Sequence, residues 1–217
     1  MSLWVIIPVK PLGRAKSRLS EVLSPEERHA LAERFLRQIL RVVTAVQQVT
    51  GTLVISRDPQ VLRIAREYGA LTVQESGTPE LNNALMRATQ VVASWKGNAV
   101  LILPADLPLI SAEDIVTMIG MSPKGESVVL ASDQMGDGTN AMLVRPPGLF
   151  PYTYGTDSFQ RHKKAAIDAG ADVKIYDSHR VALDIDVPAD LELYSQLVRD
   201  SDNPDEILPC IASDNAS

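Results

Sequence analysis

The sequence predicts an α/β protein that forms a single domain. We expect a three-layer α/β/α architecture around a mostly parallel, mixed sheet. Strand-like and amphipathic helical segments alternate almost from end to end, an order typical of a parallel sheet covered by helices on both faces. The run from Val100 to Leu103 is typical of a strand buried on both faces. The chain has no internal repeat and no Gly/Ser linker. We therefore expect one domain over residues 1–198 and a flexible acidic tail over residues 199–217.

The first half of the chain is expected to supply three strands and three helices. Ser24, Pro25 and two glutamates form a helix start, with the serine as cap and the acids at the positive end of the helix dipole. Gly51 is expected to end this helix, and Gly69 to end the next one, which begins at Asp58. The predicted strands are residues 3–8, 52–56 and 71–74, and the predicted helices are residues 25–49, 59–68 and 80–95.

The second half is expected to supply four strands and three helices. Its final helix has a proline at its first position, residue 188. The predicted strands are residues 99–103, 128–131, 141–144 and 173–176, and the predicted helices are residues 111–119, 158–169 and 188–198.

Composition excludes several classes of protein. A formal net charge of −6 argues against general nucleic-acid binding, which requires a basic face. The single cysteine excludes a disulfide within the chain, and three scattered histidines do not form a zinc motif. The N-terminal segment resembles neither a signal peptide nor a membrane span, so we expect no membrane partner and a cytoplasmic location.

Asp106 is the most informative residue of the chain. It follows the buried strand directly, between Pro104 and Pro108, which prevent the strand or a helix from continuing. Open α/β sheets bind ligands at the carboxyl ends of their strands, and a carboxylate there suits a hard divalent cation beside phosphate oxygens. The alternative is a turn aspartate that merely precedes the helix starting near Ser111.

A basic loop follows the first strand. Four cations lie within nine residues at the strand's carboxyl end: Lys10, Arg14, Lys16 and Arg18. Arginine offers a planar fork to phosphate and lysine a mobile point charge, so a polyanion is the natural partner. The alternative is a solvated basic loop. Neither a Walker loop nor a GxGxxG fingerprint is present.

These motifs resemble the 2-phospho-L-lactate or phosphoenolpyruvate guanylyltransferases of coenzyme F-420 biosynthesis. The resemblance rests on residues 6–19 and 104–109, on Leu81-Asn82-Asn83-Ala84-Leu85, on Asp137-Gly138-Thr139-Asn140 and on residues 183–191, in the same order. It implies a nucleotide-diphospho-sugar transferase-like, or glycosyltransferase-A-like, fold. The Asp-Ile-Asp-x-Pro-x-Asp-Leu ending is shared with relatives that act on other substrates. The loop carries one glycine, Gly13, and lacks the Arg-Met ending of many wider relatives, which weakens an assignment to sugar or cytidylyl transfer.

The resemblance implies GTP as nucleotide substrate and Mg²⁺ as cofactor. Asp106 would bind the metal together with Asp184 or Asp186, which we expect at the end of a last strand, on the same side of it. The alternative role of Asp186 is to cap the final helix. Capping is also the favoured role of Asp190. The triphosphate would be bound by Arg14, Lys16 and Arg18, with Lys10 as a further candidate; Lys16 and Arg18 join Asp106 as the expected catalytic residues.

The acceptor would be a small phosphorylated carboxylic acid. The resemblance assigns it to Thr139, Gly155 and Ser158, although turn and capping chemistry is the alternative for both motifs. His162 lies on the same helix face as Ser158 and is expected at the surface, with a contact to the acceptor as its second possibility. Asn82 is a candidate for guanine or ribose, or for a local contact to the first amides of its helix.

Other readings of the sequence stay open. They are a molybdopterin-type or sugar-phosphate nucleotidyltransferase of the same fold, a glycosyltransferase, and a non-catalytic nucleotide-binding protein. The Asp-x-Asp pair at residues 184–186 lies near the end of the chain, unlike that of typical sugar transferases. Phosphoenolpyruvate, 2-phospholactate and 3-phosphoglycerate remain alternative acceptors, and a homodimer is one option for the oligomeric state.

Overall fold

The computed structural model describes residues 2–76 and 80–199 of the chain. Its centre is a seven-stranded sheet in the order β3-β2-β1-β4-β6-β5-β7. The strands are β1 (Leu3–Val9), β2 (Val49–Ser56), β3 (Leu71–Gln74), β4 (Ala99–Ile102), β5 (Ser127–Ser132), β6 (Thr139–Arg145) and β7 (Asp172–Ile175). The helices are α1 (Pro25–Thr44), α2 (Pro59–Glu67), α3 (Leu81–Ser94), α4 (Ala112–Met121), α5 (Ser158–Asp168), α6 (His179–Ala182) and α7 (Pro188–Arg199).

The predicted α/β fold with a mostly parallel, mixed sheet is confirmed. Strand β6 runs antiparallel to both of its neighbours, β4 and β5. The other four pairings are parallel. Because β6 is antiparallel to β4, its first residues lie beside the last residues of β4, and the end of β1 lies on the other side of β4. The loops after β1 and β4 therefore meet the start of β6 at one edge of the sheet.

Helices cover both faces of the sheet, as the alternating order predicts. Along β1, Val5 and Ile7 belong to the core under α1, α2 and α4, whereas Ile6 belongs to the core under α3 and α5. All three side chains are fully buried. The period of two along the strand thus divides its side chains between two cores. A third, smaller cluster joins α1 to α7 through Phe35 and Tyr194.

The first helix is shorter than predicted. It ends at Thr44, not at residue 49, and Gly51 lies inside β2 instead of ending α1. Gly51 pairs with Trp4 of β1, and a Cβ atom at this position would lie 2.6 Å from the Trp4 ring. The glycine is therefore needed for the close approach of a tryptophan ring. By contrast, Gly69 follows α2 with φ +75, as expected of a residue that ends a helix.

The structure contains two kinds of element that the sequence does not predict. The basic loop forms two short 3₁₀ turns, Leu12–Arg14 and Ser17–Leu19, and the one-turn helix α6 precedes the last acidic motif. No described helix is both long enough and apolar enough to cross a bilayer. Of the expected tail over residues 199–217, Arg199 is the last residue of α7, and residues 200–217, including Cys210, lie outside the described residues.

Candidate active site

Lys16 joins the basic loop to the end of β4. Its backbone has a left-handed conformation (φ 55), and its side chain is only 6% exposed. The ammonium donates to Asp106 Oδ2 at 2.6 Å and to the Ile185 carbonyl oxygen at 2.5 Å. It also lies 3.9 Å from Asp186 Oδ1. One buried cation therefore connects the basic loop to the two segments that carry the candidate acids.

Asp184 and Asp186 do not end a strand, contrary to the prediction. They lie in an irregular segment between α6 and α7. The Asp190 carboxylate accepts hydrogen bonds from the amides of Asp186 and Val187, and the Ile185 amide donates to the Asp106 carbonyl. These amides are therefore not available for a sheet ladder. Asp190 is structural, as favoured from the sequence.

The acidic cluster carries more negative charge than Lys16 balances. Burial raises the pKa of Asp184 to about 6, and the charges of Asp106 and Asp186 add to this, while the Asn140 amide works against it. The Asn140 Nδ2 donates to Asp184 Oδ1 at 3.2 Å. Carboxylate oxygens are the donors that Mg²⁺ prefers, and a second cation would relieve this repulsion. The donor set therefore fits a hard divalent cation.

The carboxylates of the described residues do not surround a single metal position. No cluster of three or more acidic, histidine or cysteine side chains in residues 2–76 and 80–199 is arranged to hold an ion. The Lys16 ammonium lies against Asp106 and close to Asp186 instead. A divalent ion shared by these carboxylates therefore requires the Lys16 side chain to move away from Asp106.

The other loop cations are exposed. The Arg18 side chain is 70% exposed and its Nη1 lies 3.2 Å from Asp186 Oδ2, an ion pair of small energy at this exposure. Lys10 and Arg14 are exposed and make no ion pair with another residue in the described part of the chain. The loop that carries Lys16 therefore presents three further, exposed cations, of which Arg18 contacts a candidate acid.

Two of the predicted acceptor residues, Thr139 and Ser158, meet beside a buried histidine. His162, expected at the surface, is fully buried, because α5 packs its inner face over the start of β6. Thr139 Oγ1 lies 2.9 Å from His162 Nδ1, and Ser158 Oγ donates to Thr139 Oγ1 at 3.3 Å. Burial lowers the pKa of His162 to about 4, so its ring is neutral at physiological pH.

The loop before α5 is held by Asn82. Its Oδ1 accepts from the Tyr154 amide at 2.7 Å, and its Nδ2 donates to the Tyr154 carbonyl at 3.3 Å. Of the two alternatives for Asn82, the local contact to the first amides of its helix is wrong, because Glu80 caps α3 by accepting from two first-turn amides. Gly155 follows with φ +125, a conformation that favours glycine, and is exposed. Asn82 thus positions the segment that contains Gly155.

The sequence of the whole described fold matches one family. Residues 3–198 match the family described as "Guanylyl transferase CofC like". The chain belongs to this family. A phosphoenolpyruvate guanylyltransferase of Rubrobacter xylanophilus is 38% identical over 88% of this chain and 92% of its own length. A 2-phospho-L-lactate guanylyltransferase of Methanothermobacter thermautotrophicus is 34% identical over 88% of this chain and 83% of its own.

Solved structures support the nucleotide-diphospho-sugar transferase-like fold of this guanylyltransferase. A putative nucleotide-diphospho-sugar transferase from Desulfovibrio desulfuricans superposes with a TM-score of 0.76 at 16% identity, covering 94% of this chain and 91% of that one. A CMP:2-keto-3-deoxy-manno-octonic acid synthetase has a TM-score of 0.63 at 13% identity, covering 92% and 99%. At these identities the likeness concerns the fold.

Sequence reasoning missed one side chain that organises the site of the guanylyltransferase, Asn140, and placed a second one, His162, at the surface. Asn140 binds Asp184 and the carbonyls of Val181 and Ala182, so it holds the acidic segment against β6. Its place beside Thr139 in the Asp-Gly-Thr-Asn motif was the available signal. His162 was expected at the surface, although its spacing of four residues from Ser158 placed both on one helix face; its contacts to Thr139 and to the Thr153 amide carried no local signal.

A surface groove of about 560 Å³ lies elsewhere on the molecule. It is formed by α1, the start of α4, α6 and α7, and is lined by Gln38, Arg41, Ile110, Ser111, Arg180 and Leu197, among others. None of the candidate acids or loop cations lines it. The groove is therefore separate from the candidate active site.

Proposed function

We propose that this guanylyltransferase transfers GMP from GTP to a small phosphorylated carboxylic acid, and that phosphoenolpyruvate is the first acceptor to test. The observation that carries the proposal is the meeting of the basic loop, Asp106 and the Asp184–Asp186 segment at one edge of the sheet. Phosphoenolpyruvate is chosen because the relative that is 38% identical is named for it. A role in coenzyme F-420 biosynthesis is part of the same proposal.

The transfer is a displacement at the α-phosphorus of GTP. A phosphate oxygen of the acid forms a new bond to this phosphorus, the bond to the bridging oxygen of the β-phosphate breaks, and pyrophosphate leaves. The attacking oxygen is already anionic, so the step does not require a general base. The main barrier is repulsion between two polyanions, which cations and alignment of the two substrates reduce.

Asp106, with Asp184 or Asp186, would hold Mg²⁺. When bound, the ion would neutralise negative charge on the α-phosphate and on the departing pyrophosphate. The elevated pKa of Asp184, about 6, reflects burial and the neighbouring carboxylates, and is the electrostatic argument for a cation here. Asn140 fixes the Asp184 carboxylate, and the Asp190 cap fixes the backbone at Asp186.

The loop cations would bind the triphosphate. Arg14 and Lys10 are exposed, and Arg18 has only a solvent-exposed ion pair to give up. Lys16 is the exception because its ammonium is held by Asp106 and the Ile185 carbonyl. Lys16 would reach the phosphates only by giving up its contact with Asp106, whose negative charge a divalent cation would then balance.

The acid would bind at Thr139, Gly155 and Ser158. Thr139 begins β6 and Ser158 begins α5, and the two hydroxyls meet in a hydrogen bond at one corner of the fold. The neighbouring residue Asn140 contacts Asp184, which links this corner to the acidic cluster. The direct role of Asn82 toward the nucleotide stays a prediction, since its amide group already binds the Tyr154 backbone.

The test is a substrate matrix. The purified chain is incubated with GTP and Mg²⁺ and, separately, with phosphoenolpyruvate, 2-phospho-L-lactate or 3-phosphoglycerate. Pyrophosphate release and the mass of the guanylated product are measured, with ATP and CTP as matched nucleotide controls. Product formation that needs both GTP and one acid, and that stops on chelation of the metal, is expected. Equal use of CTP, or transfer to a sugar phosphate alone, would contradict the proposal.

A further inference from the structure

We propose that His162 is a positioning residue of the acceptor site: it fixes the hydroxyl group of Thr139 so that this hydroxyl donates its hydrogen to an anionic oxygen of the acid. The inference deepens the proposed function and rests on it for the identity of the ligand. Three contacts carry it, from the Thr153 amide to His162, from His162 to Thr139, and from Ser158 to Thr139.

The tautomer of His162 follows from its contact with the backbone. The Thr153 amide donates to His162 Nε2 at 2.9 Å, and an amide N–H has no lone pair to accept with. Nε2 must therefore be unprotonated. A neutral imidazole with an unprotonated Nε2 carries its hydrogen on Nδ1, so Nδ1 donates to Thr139 Oγ1 across 2.9 Å.

The hydroxyl of Thr139 then has its acceptor positions filled from inside the protein. It accepts one hydrogen bond from His162 Nδ1 and one from Ser158 Oγ. A hydroxyl has two acceptor lone pairs and one hydrogen to donate. Within residues 2–76 and 80–199, the Thr139 hydroxyl hydrogen has no acceptor. The group is thus fixed as a donor, which suits a phosphate or carboxylate oxygen and disfavours a donor such as an ammonium.

The surroundings hold the ring in place. The Tyr154 ring meets His162 edge-on, with centroids 4.7 Å apart, and Phe150 lies 6.4 Å away. His162 is 0% exposed. Tyr154 is itself anchored by Asn82, so α3, the loop before α5 and α5 all fix the orientation of one imidazole. A neutral, immobilised ring cannot exchange tautomers without breaking its bond to Thr153.

The first test compares two variants that keep different halves of the imidazole. The amide of His162→Asn lies near the former Nδ1 and still donates to Thr139, whereas His162→Gln reaches the Nε2 side and loses this donor. We expect His162→Gln to raise KM for phosphoenolpyruvate by roughly tenfold or more, the usual effect of a lost hydrogen bond to a charged group, and to leave KM for GTP within about twofold. His162→Asn should lie closer to the parent chain. Equal losses for both substrates, or no loss, would overturn the proposal.

A double-mutant cycle tests whether His162 acts through Thr139. In a Thr139→Val background, His162→Gln should not weaken the use of the acid further, because the hydroxyl that it positions is gone. Effects of the two changes that simply multiply would overturn the proposal. The free energy of unfolding of each variant is measured in parallel. A variant that is generally destabilised shows a lower free energy of unfolding and loses GTP binding to the same extent as acid binding.

A third test depends neither on variants nor on turnover. Long-range ¹H–¹⁵N correlation spectra of the parent chain distinguish a protonated Nδ1 from a protonated Nε2 of His162. We expect the Nδ1–H form, with a nitrogen shift that changes when phosphoenolpyruvate is added in the presence of GTP. A protonated Nε2 would refute the inference even if the enzyme is active. A parent chain that releases no pyrophosphate with any acid would instead refute the proposed function.

Discussion

The Lys16 ammonium and the Asp106 carboxylate form a pair that the sequence keeps far apart. They are 90 residues apart in the chain and 2.6 Å apart in the fold. Lys16 is 6% exposed and Asp106 is 29% exposed, so the pair is shielded more on the lysine side. Asp106 is thus the natural residue on which to test the metal assignment.

Asp106→Asn should leave the fold intact and abolish nearly all activity. The substitution keeps the volume but removes the anionic oxygen that both Lys16 and Mg²⁺ would need. A loss of about 10²-fold or more in kcat is expected, as for other preorganised electrostatic contacts. Pyrophosphate release gives kcat, and circular dichroism reports folding. Asp177→Asn, at an exposed position, is the matched control. Substantial turnover by a folded Asp106→Asn would remove Asp106 from the metal site.

His162 should make the stability of the protein depend on pH. Its folded pKa, about 4, is below the ordinary value of 6.5, so the folded state binds fewer protons than the unfolded state between these values. The stabilisation by neutral His162 is complete above about pH 6.5 and is lost as the pH falls toward about 4. Urea unfolding at about pH 7.5 and about pH 5 should show the parent chain losing about 2 kcal/mol more than His162→Asn.

A matched control separates this effect from the titration of other groups. His179→Asn removes an exposed histidine, and should follow the parent chain at both pH values. If the parent chain and His162→Asn lost the same free energy of unfolding between the two pH values, the buried, neutral state of His162 would be wrong.

At the scale of elements, Asp114 holds α4 to the segment that leads into the acidic cluster. The residue lies in the first turn of α4 and is fully buried. It accepts from Arg180 through Nε at 2.9 Å and Nη2 at 3.0 Å, and from the hydroxyls of Tyr176 and Ser178. Burial raises the pKa of Asp114, but its hydrogen bonds, led by those from Arg180 and Ser111, outweigh this and keep the pKa well below its usual range.

Asp114→Asn should be strongly destabilising. It leaves the Arg180 guanidinium, whose side chain is 33% exposed, with only the longer contact to Glu113, so a cost of roughly 1.5–3 kcal/mol is expected for the weakened charge-assisted hydrogen bonds. The adjacent Glu113 provides a matched control, because its side chain is 80% exposed and lies 3.6 Å from the same Arg180. Glu113→Gln should change the free energy of unfolding by less than about 1 kcal/mol. Similar values for both variants in urea unfolding would contradict the role of Asp114 as the buried partner.

At the scale of the whole molecule, the two substrates should depend on different elements. The cations lie on the loop after β1, whereas Thr139 and Ser158 lie at the starts of β6 and α5. Arg18→Ala should weaken GTP use with a smaller effect on the acid. Thr139→Ala or Ser158→Ala should weaken acid use by roughly ten- to more than a hundredfold, the equivalent of one charge-assisted hydrogen bond.

Calorimetry with GTP alone measures this division directly. Thr139→Ala should bind GTP as the parent chain does, because its hydroxyl contacts His162 and Ser158 and not the basic loop. A Thr139→Ala variant that lost GTP binding as strongly as acid binding would mean that one shared surface binds both substrates.

Much of the fold could be predicted because its signals are local. Strand β3 has the predicted bounds, and Ser24 and Asp58 cap α1 and α2 through nearby amides, as their sequence contexts indicate. The errors came from longer-range packing. Gly51 follows an amphipathic segment and was therefore predicted to end a helix. Its role is instead to accommodate the ring of Trp4, which lies 47 positions earlier in the chain.

The sequence by itself determined the buried strands, the caps, the concentration of cations after β1 and the carboxylate of Asp106 after β4, since each depends on neighbours within a few residues. Only the tertiary structure decided that Lys16 contacts Asp106, that Asn140 holds Asp184, and that His162 is buried with a defined tautomer. These contacts join residues on different elements, or a side chain to a backbone amide. Side-chain periodicity carries no information about such pairs, because the antiparallel pairing of β6 with β4 decides which segments meet.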